Sequence, residues 1–118
     1  MSISIPGLDT DTGLALYDDD LEIYVEILRS YVLYTPDVLN SIRNISKETL
    51  ADYVINVHGI KSTSANIGAE KTREVALNLE KLAKAGDLQG VLERNAAFIS
   101  ETEKIVEAIK IWLDQNNS

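Results

Sequence analysis

The chain has 118 residues, 45% of them hydrophobic and 25% charged, which is enough for one domain with a buried core. It contains no cysteine and a single histidine, so disulfides and Cys/His zinc clusters are excluded. A formal net charge of −8 argues against nucleic acid as a partner, and no apolar run approaches the roughly 20 residues that cross a bilayer.

The chain begins with a segment that is predicted to be irregular. Residues 1–9 read MSISIPGLD and are interpreted as an N-terminal arm or linker, because a proline and a glycine interrupt the apolar pattern. A short helix follows, with Thr10 or Asp11 as its cap and its end near Tyr17. We expect residues 10–116 to form a single helical domain.

Two helices are predicted between residues 19 and 45. The first begins at Asp19 or Asp20, and the second begins separately, with Thr35 as its cap and Pro36 at its first position. Apolar residues at helical spacing form the face predicted to be buried. These residues are Leu21, Tyr24, Ile27, Leu28, Tyr31, Val32 and Tyr34 in the first helix, and Val38, Leu39, Ile42 and Ile45 in the second.

Three further helices complete the prediction. Ser46 caps the first, and Gly68 lies just past its end. The next covers about residues 70–85 and is terminated by Gly86. Asp87 caps the last, which has about 28 residues. The predicted inward positions are Leu50, Tyr53, Val57, Ile60, Ser64 and Ile67, then Val75, Leu79 and Leu82, then Leu88, Leu92, Phe98 or Ile99, Thr102, Ile105 or Val106, Ile109 and Leu113. No segment alternates with period two. The predicted fold class is therefore all-α, an antiparallel four-helix bundle with an additional short N-terminal helix.

The only histidine, His58, lies in the stretch VHGIKSTSANIGA. On a helical wheel centred on Val57 it falls about 100° from the middle of the buried face, on the shoulder of the helix. Lys61 and Ser62, three and four residues later, are its neighbours on that surface. The lysine places a cation beside the ring, and the small serine leaves the ring open. Because neutral imidazole is a nucleophile and phosphoryl transfer depends on positioning and charge, the pattern favours a phosphoryl carrier.

This stretch resembles the motif of the histidine-containing phosphotransfer (HPt) domains of multistep phosphorelays. The motif is His-x-[Leu/Ile]-Lys-Gly, then a small polar run and [Ile/Leu]-Gly-Ala. Its counterparts here are His58, Ile60, Lys61, Ile67, Gly68 and Ala69. The family resemblance extends to the lead helix and to the pairs Leu79-Glu80 and Gly86-Asp87. The chain is most similar to the C-terminal HPt domain of a hybrid sensor histidine kinase. Ser62 stands where the family usually has glycine, and Thr72 where it usually has leucine.

The resemblance implies a phosphocarrier with no kinase activity of its own. Such a module accepts a phosphoryl group on His58 from a receiver-domain aspartyl phosphate and passes it to another receiver aspartate. Its partners are response-regulator receiver domains, and the rest of a hybrid sensor kinase if the chain is excised from one. The resemblance also implies a cytoplasmic location, with no direct contact with membrane or nucleic acid. It implies no metal or cofactor on this chain, because the Mg²⁺ that phosphoryl transfer needs is held by the receiver. In related domains a Gln or Glu at the place of Glu80 orients the ring by accepting a hydrogen bond, which leaves Nε2 as the nucleophile.

A docking surface is predicted beside the ring. The wheel places Val54 close to His58 and Ile55 about 60° further toward solvent, and Ile27 falls at the edge of its own buried stripe. An apolar patch with a polar rim is typical of transient interfaces, so we expect these residues to contact a receiver. The alternative is that they complete the core.

Other interpretations remain open at this level. The chain could be a non-catalytic helical scaffold, or a relay-inactive HPt-like domain that only binds a receiver. Lys61 could be a solvated surface charge, and Glu80 could pair with Lys84 four residues later instead of with the ring. A carboxylate-metal hydrolase ranks third, because it needs convergent acidic side chains that the sequence does not place. The acidic run at residues 18–20 is better explained as a helix cap than as a metal cluster.

Overall fold

The computed structural model describes residues 3–116, and that range contains five helices and no strand. The helices are α1 (Thr10–Ala15), α2 (Leu21–Ser41), α3 (Leu50–Ala65), α4 (Glu70–Lys84) and α5 (Leu88–Asn116). The four long helices form a ring in which each packs against the next and α5 closes onto α2. This confirms the predicted all-α bundle with a short additional helix. None of the helices described is long and apolar enough to cross a membrane.

The core of the bundle has two buried layers along its length. One layer is formed mainly by α3 and α4 with the facing parts of α2 and α5. The other is formed by α2 and α5 together with the N-terminal segment, whose Ile3 and Ile5 are buried. Thr10 Oγ1 donates to the carbonyl of Ile3 and ties this segment to α1. The predicted arm is thus irregular but packed over residues 3–9, and its first two residues lie outside the described range.

The prediction of two separate helices between residues 19 and 45 is wrong. A single helix, α2, runs through Pro36, and Ile45 lies beyond its end. An interior proline removes one helical hydrogen bond and costs about 3 kcal/mol. The buried series continues across it at helical spacing, through Tyr31, Thr35 and Leu39. Burial of that uninterrupted face against the bundle offsets the lost bond, so the helix does not break.

The helix caps follow the sequence in part. Asp20 accepts from the N–H of Ile23 at the start of α2, and Asp87 accepts from the N–H of Gly90 at the start of α5. The cap of α1 is Asp9, one residue before the predicted candidates. α3 begins after Thr49 and not at Ser46, because these two residues form a hydrogen-bonded turn of their own.

Two residues predicted to face the core are exposed. They are Tyr34 on α2 and Leu92 on α5, and in each case the adjacent residue, Thr35 or Val91, is buried instead. Neighbouring helical residues differ by about 100° in direction, so only one of each pair points into the core. The packing of the bundle decides which one.

The connection between α3 and α4 sets how these two helices meet. It is only four residues long, 66–69, and turns at Gly68, whose φ of +82° favours glycine. The N–H of Ala69 donates to the carbonyl of Ser64 at 2.9 Å and closes the end of α3. Such a tight turn fixes the register of α4 against α3.

Candidate functional site

His58 lies in the middle of α3 with 56% of its side chain exposed. Val57 and Ile60, on either side of it in the sequence, are buried in the core. Their burial fixes the rotation of α3 and holds the imidazole on the shoulder of the helix, where the wheel places it. More than half of the ring is therefore accessible from solvent.

Glu80 of α4 is the buried partner of this ring. Its side chain is 4% exposed, and its Oε2 lies 2.7 Å from Nδ1 of His58. An ionised carboxylate only accepts hydrogen bonds, so Nδ1 must carry the proton. None of the hydrogen bonds recorded for residues 3–116 involves Nε2 of His58. The lone pair of Nε2 is thus the one left for chemistry.

Two lysines neutralise the buried carboxylate. Lys61 Nζ donates to Oε1 of Glu80 at 2.6 Å, and Lys84 Nζ lies 3.5 Å from Oε2. The hydrogen bond from Lys61 lowers the pKa of Glu80 most; burial opposes it, while the bond from His58 and the charges of both lysines lower the pKa further. The pKa falls from 4.5 to about 2. Glu80 is therefore an anion at neutral pH.

The structure brings together most of the predicted site. His58, Lys61 and Glu80 form one hydrogen-bonded cluster, and Ser62 is exposed on the next turn after the ring. The two alternatives for Glu80 both occur, because it contacts the ring and Lys84 at once. Lys61 is 23% exposed, and its ammonium rests on Glu80. Its charge is thus held next to the ring by the carboxylate.

The predicted docking residues differ in exposure and surroundings. Ile55 is 69% exposed, so it does not complete the core, and it lines a shallow depression near the start of α3. Val54 is half-buried and packs against the core. Ile27 is also half-buried and lines a separate groove between α2 and α3. Of the three, Ile55 is the one that presents a large apolar surface to solvent.

The arrangement can support nucleophilic chemistry at one nitrogen. It contains an exposed imidazole of fixed tautomer, a buried anion behind that imidazole, and two cations beside the anion. Within residues 3–116, no group of three or more His, Asp or Glu side chains is placed to hold a metal ion. No family model, curated protein or solved structure matches the chain.

Proposed function

We propose that this protein is a histidine phosphotransfer module of a phosphorelay, as its resemblance to HPt domains implies. One observation carries the proposal: the exposed ring of His58 has its Nδ1 anchored at 2.7 Å on a buried, ionised carboxylate. A histidine that serves only packing has no need of an exposed nucleophilic nitrogen. A histidine that accepts a group does need one nitrogen fixed and the other free.

The proposed step transfers a phosphoryl group from a receiver-domain aspartyl phosphate to Nε2 of His58. The phosphorus–oxygen bond breaks, its electron pair stays on the receiver carboxylate, and a phosphorus–nitrogen bond forms. No proton leaves, so the ring keeps its Nδ1 proton and becomes a cation. The anion of Glu80 contacts that proton and stabilises the charge as it develops. The reverse step delivers the phosphoryl group to another receiver aspartate.

Lys61 supplies charge to the incoming phosphoryl group in this proposal. A phosphoryl group brings a charge near −2 beside Glu80, which is already an anion. Lys61 lies one helical turn from His58 and has a long, flexible stem, so its ammonium can bridge Glu80 and the phosphoryl oxygens. Lys84 remains on Glu80 as a second cation. The small exposed Ser62 leaves room for the transferred group.

The partners in this proposal are receiver domains in the cytoplasm. The receiver brings the aspartyl phosphate and its own Mg²⁺, and this chain contributes the acceptor nitrogen and its supporting charges, with no kinase activity. Ile55 is the residue best placed to contact the receiver, since it is large, apolar and exposed three residues before His58.

The test is incorporation of phosphate from a receiver domain loaded with acetyl phosphate. We expect label on the wild-type chain that is labile in acid and stable in alkali, and none on His58→Gln. Binding of the receiver without any label would instead support the alternative, a relay-inactive HPt-like domain that only binds. Neither label nor binding with a panel of receivers would favour a helical scaffold of another kind.

A further inference from the structure

Gly59 immediately follows His58 in the middle of α3 and is exposed. Its φ is not positive, and a Cβ added to it would meet no atom of another element within 4 Å. Gly13 of α1 differs, because a Cβ there would come within 3 Å of Tyr24. The fold thus needs glycine at position 13 but has no use for it at position 59.

Glycine at this position weakens α3. An interior helical glycine costs about 0.5–1 kcal/mol relative to alanine. α3 has few local features that compensate, because its cap residue Thr49 makes no side-chain capping bond. Its last turn also contains Ser62, Thr63 and Ser64, which are modest helix formers. An alanine at position 59 would stabilise the helix without touching any other element.

The missing side chain borders the open side of the ring. Glu80 holds His58 on the side of α3 that faces α4. Gly59 lies about 100° further round the helix from His58, away from α4. Ser62, exposed, is one turn after Gly59, and Ile55, also exposed, is one turn before it. On this side of the ring the helix surface therefore carries Gly59 and the small Ser62, and Ile55 is the one large apolar side chain next to them.

We infer that Gly59 is a clearance residue that decides which phosphoryl donors His58 accepts. Its lack of a side chain allows a folded receiver domain to lie close against α3 while its aspartyl phosphate reaches Nε2. A small donor that approaches Nε2 directly has no need of this clearance. The inference rests on the proposed function and deepens it, because it names a specificity-determining residue that touches none of the reacting atoms.

The experiment compares two donors on Gly59→Ala and Gly59→Leu. The first donor is a receiver domain loaded with acetyl phosphate that labels the wild-type chain, and the second is phosphoramidate. We expect both variants to melt at higher temperature than the wild type, because both residues favour helix. The rate of transfer from the receiver should fall with side-chain size, at least tenfold for leucine. The rate with phosphoramidate should stay within twofold of the wild type.

A matched control adds the same side chain elsewhere. Ala96→Leu places a leucine at an exposed position of α5, which lies diagonally across the bundle from α3, and should leave both rates unchanged. Equal transfer from the receiver to wild type and Gly59→Leu would overturn the inference. An equal loss of transfer rate with both donors would also overturn it, because the substitution would then act on the reactivity of the ring and not on receiver docking. If neither phosphoramidate nor any receiver domain of the panel labels the wild type, the proposed function itself is refuted.

Discussion

Replacing Glu80 by glutamine should remove a measurable part of the stability of this protein at neutral pH. The side chain keeps its size and its buried position, but the anion between His58, Lys61 and Lys84 is lost. A pKa lowered from 4.5 to about 2 corresponds to roughly 3 kcal/mol, at about 1.4 kcal/mol for each pKa unit. His58 and Lys84 are more than half exposed, and solvent screens them. We therefore expect Glu80→Gln to lower the free energy of unfolding by about 1–2 kcal/mol at pH 7.

The pH dependence of this difference separates charge from packing. The pKa of Glu80 is lower in the folded state than in the unfolded state, so its stabilisation is complete above about pH 4.5 and disappears as the pH falls toward 2. Urea unfolding followed by far-UV circular dichroism at pH 7, 5, 4 and 3 measures it. The gap between wild type and Glu80→Gln should persist from pH 7 to 5 and shrink as the pH falls below about 4.5.

The control variant is Glu101→Gln. Glu101 is exposed and pairs with exposed Lys104 at 3.3 Å, so its replacement should change stability by less than about 0.5 kcal/mol. A gap for Glu80→Gln that is no larger than this control, or that stays constant down to pH 3, would refute the electrostatic reasoning. The ¹⁵N chemical shifts of His58 give an independent readout of the tautomer. A glutamine amide can either accept from or donate to Nδ1, so the preference for a proton on Nδ1 should weaken.

Three further substitutions test the site and the fold. Lys61→Ala should preserve the fold and lower stability by about 1 kcal/mol, yet slow phosphoryl uptake; unchanged transfer kinetics would show that its charge plays no part. Ile55→Asp should leave the thermal midpoint nearly unchanged but weaken receiver binding; collapse of stability would assign Ile55 to the core, and unchanged affinity and transfer rate would place the docking surface elsewhere. Pro36→Ala should raise stability in urea unfolding by about 1 kcal/mol or more, whereas no gain is expected if Pro36 begins a separate helix.

The sequence determined the features that depend on local helical geometry. Helix caps such as Asp20 and Asp87 are recognisable because their side chains accept hydrogen bonds from backbone groups only a few residues away. The shoulder position of His58 and its neighbours Lys61 and Ser62 also follow from spacing along one helix. For the same reason the sequence alone places these three residues on one surface of α3.

Only the tertiary structure decided features that depend on contacts between distant segments. α2 continues through Pro36 because burial of its whole face outweighs a local signal to stop. Ile27 and Ile55 line different depressions because the packing of α2 and α3 separates them. Glu80 lies 22 residues beyond His58, and no local rule fixes the distance between them. The tight turn at Gly68 and the interlocking core set the register of α4 against α3, and that register brings the carboxylate to Nδ1.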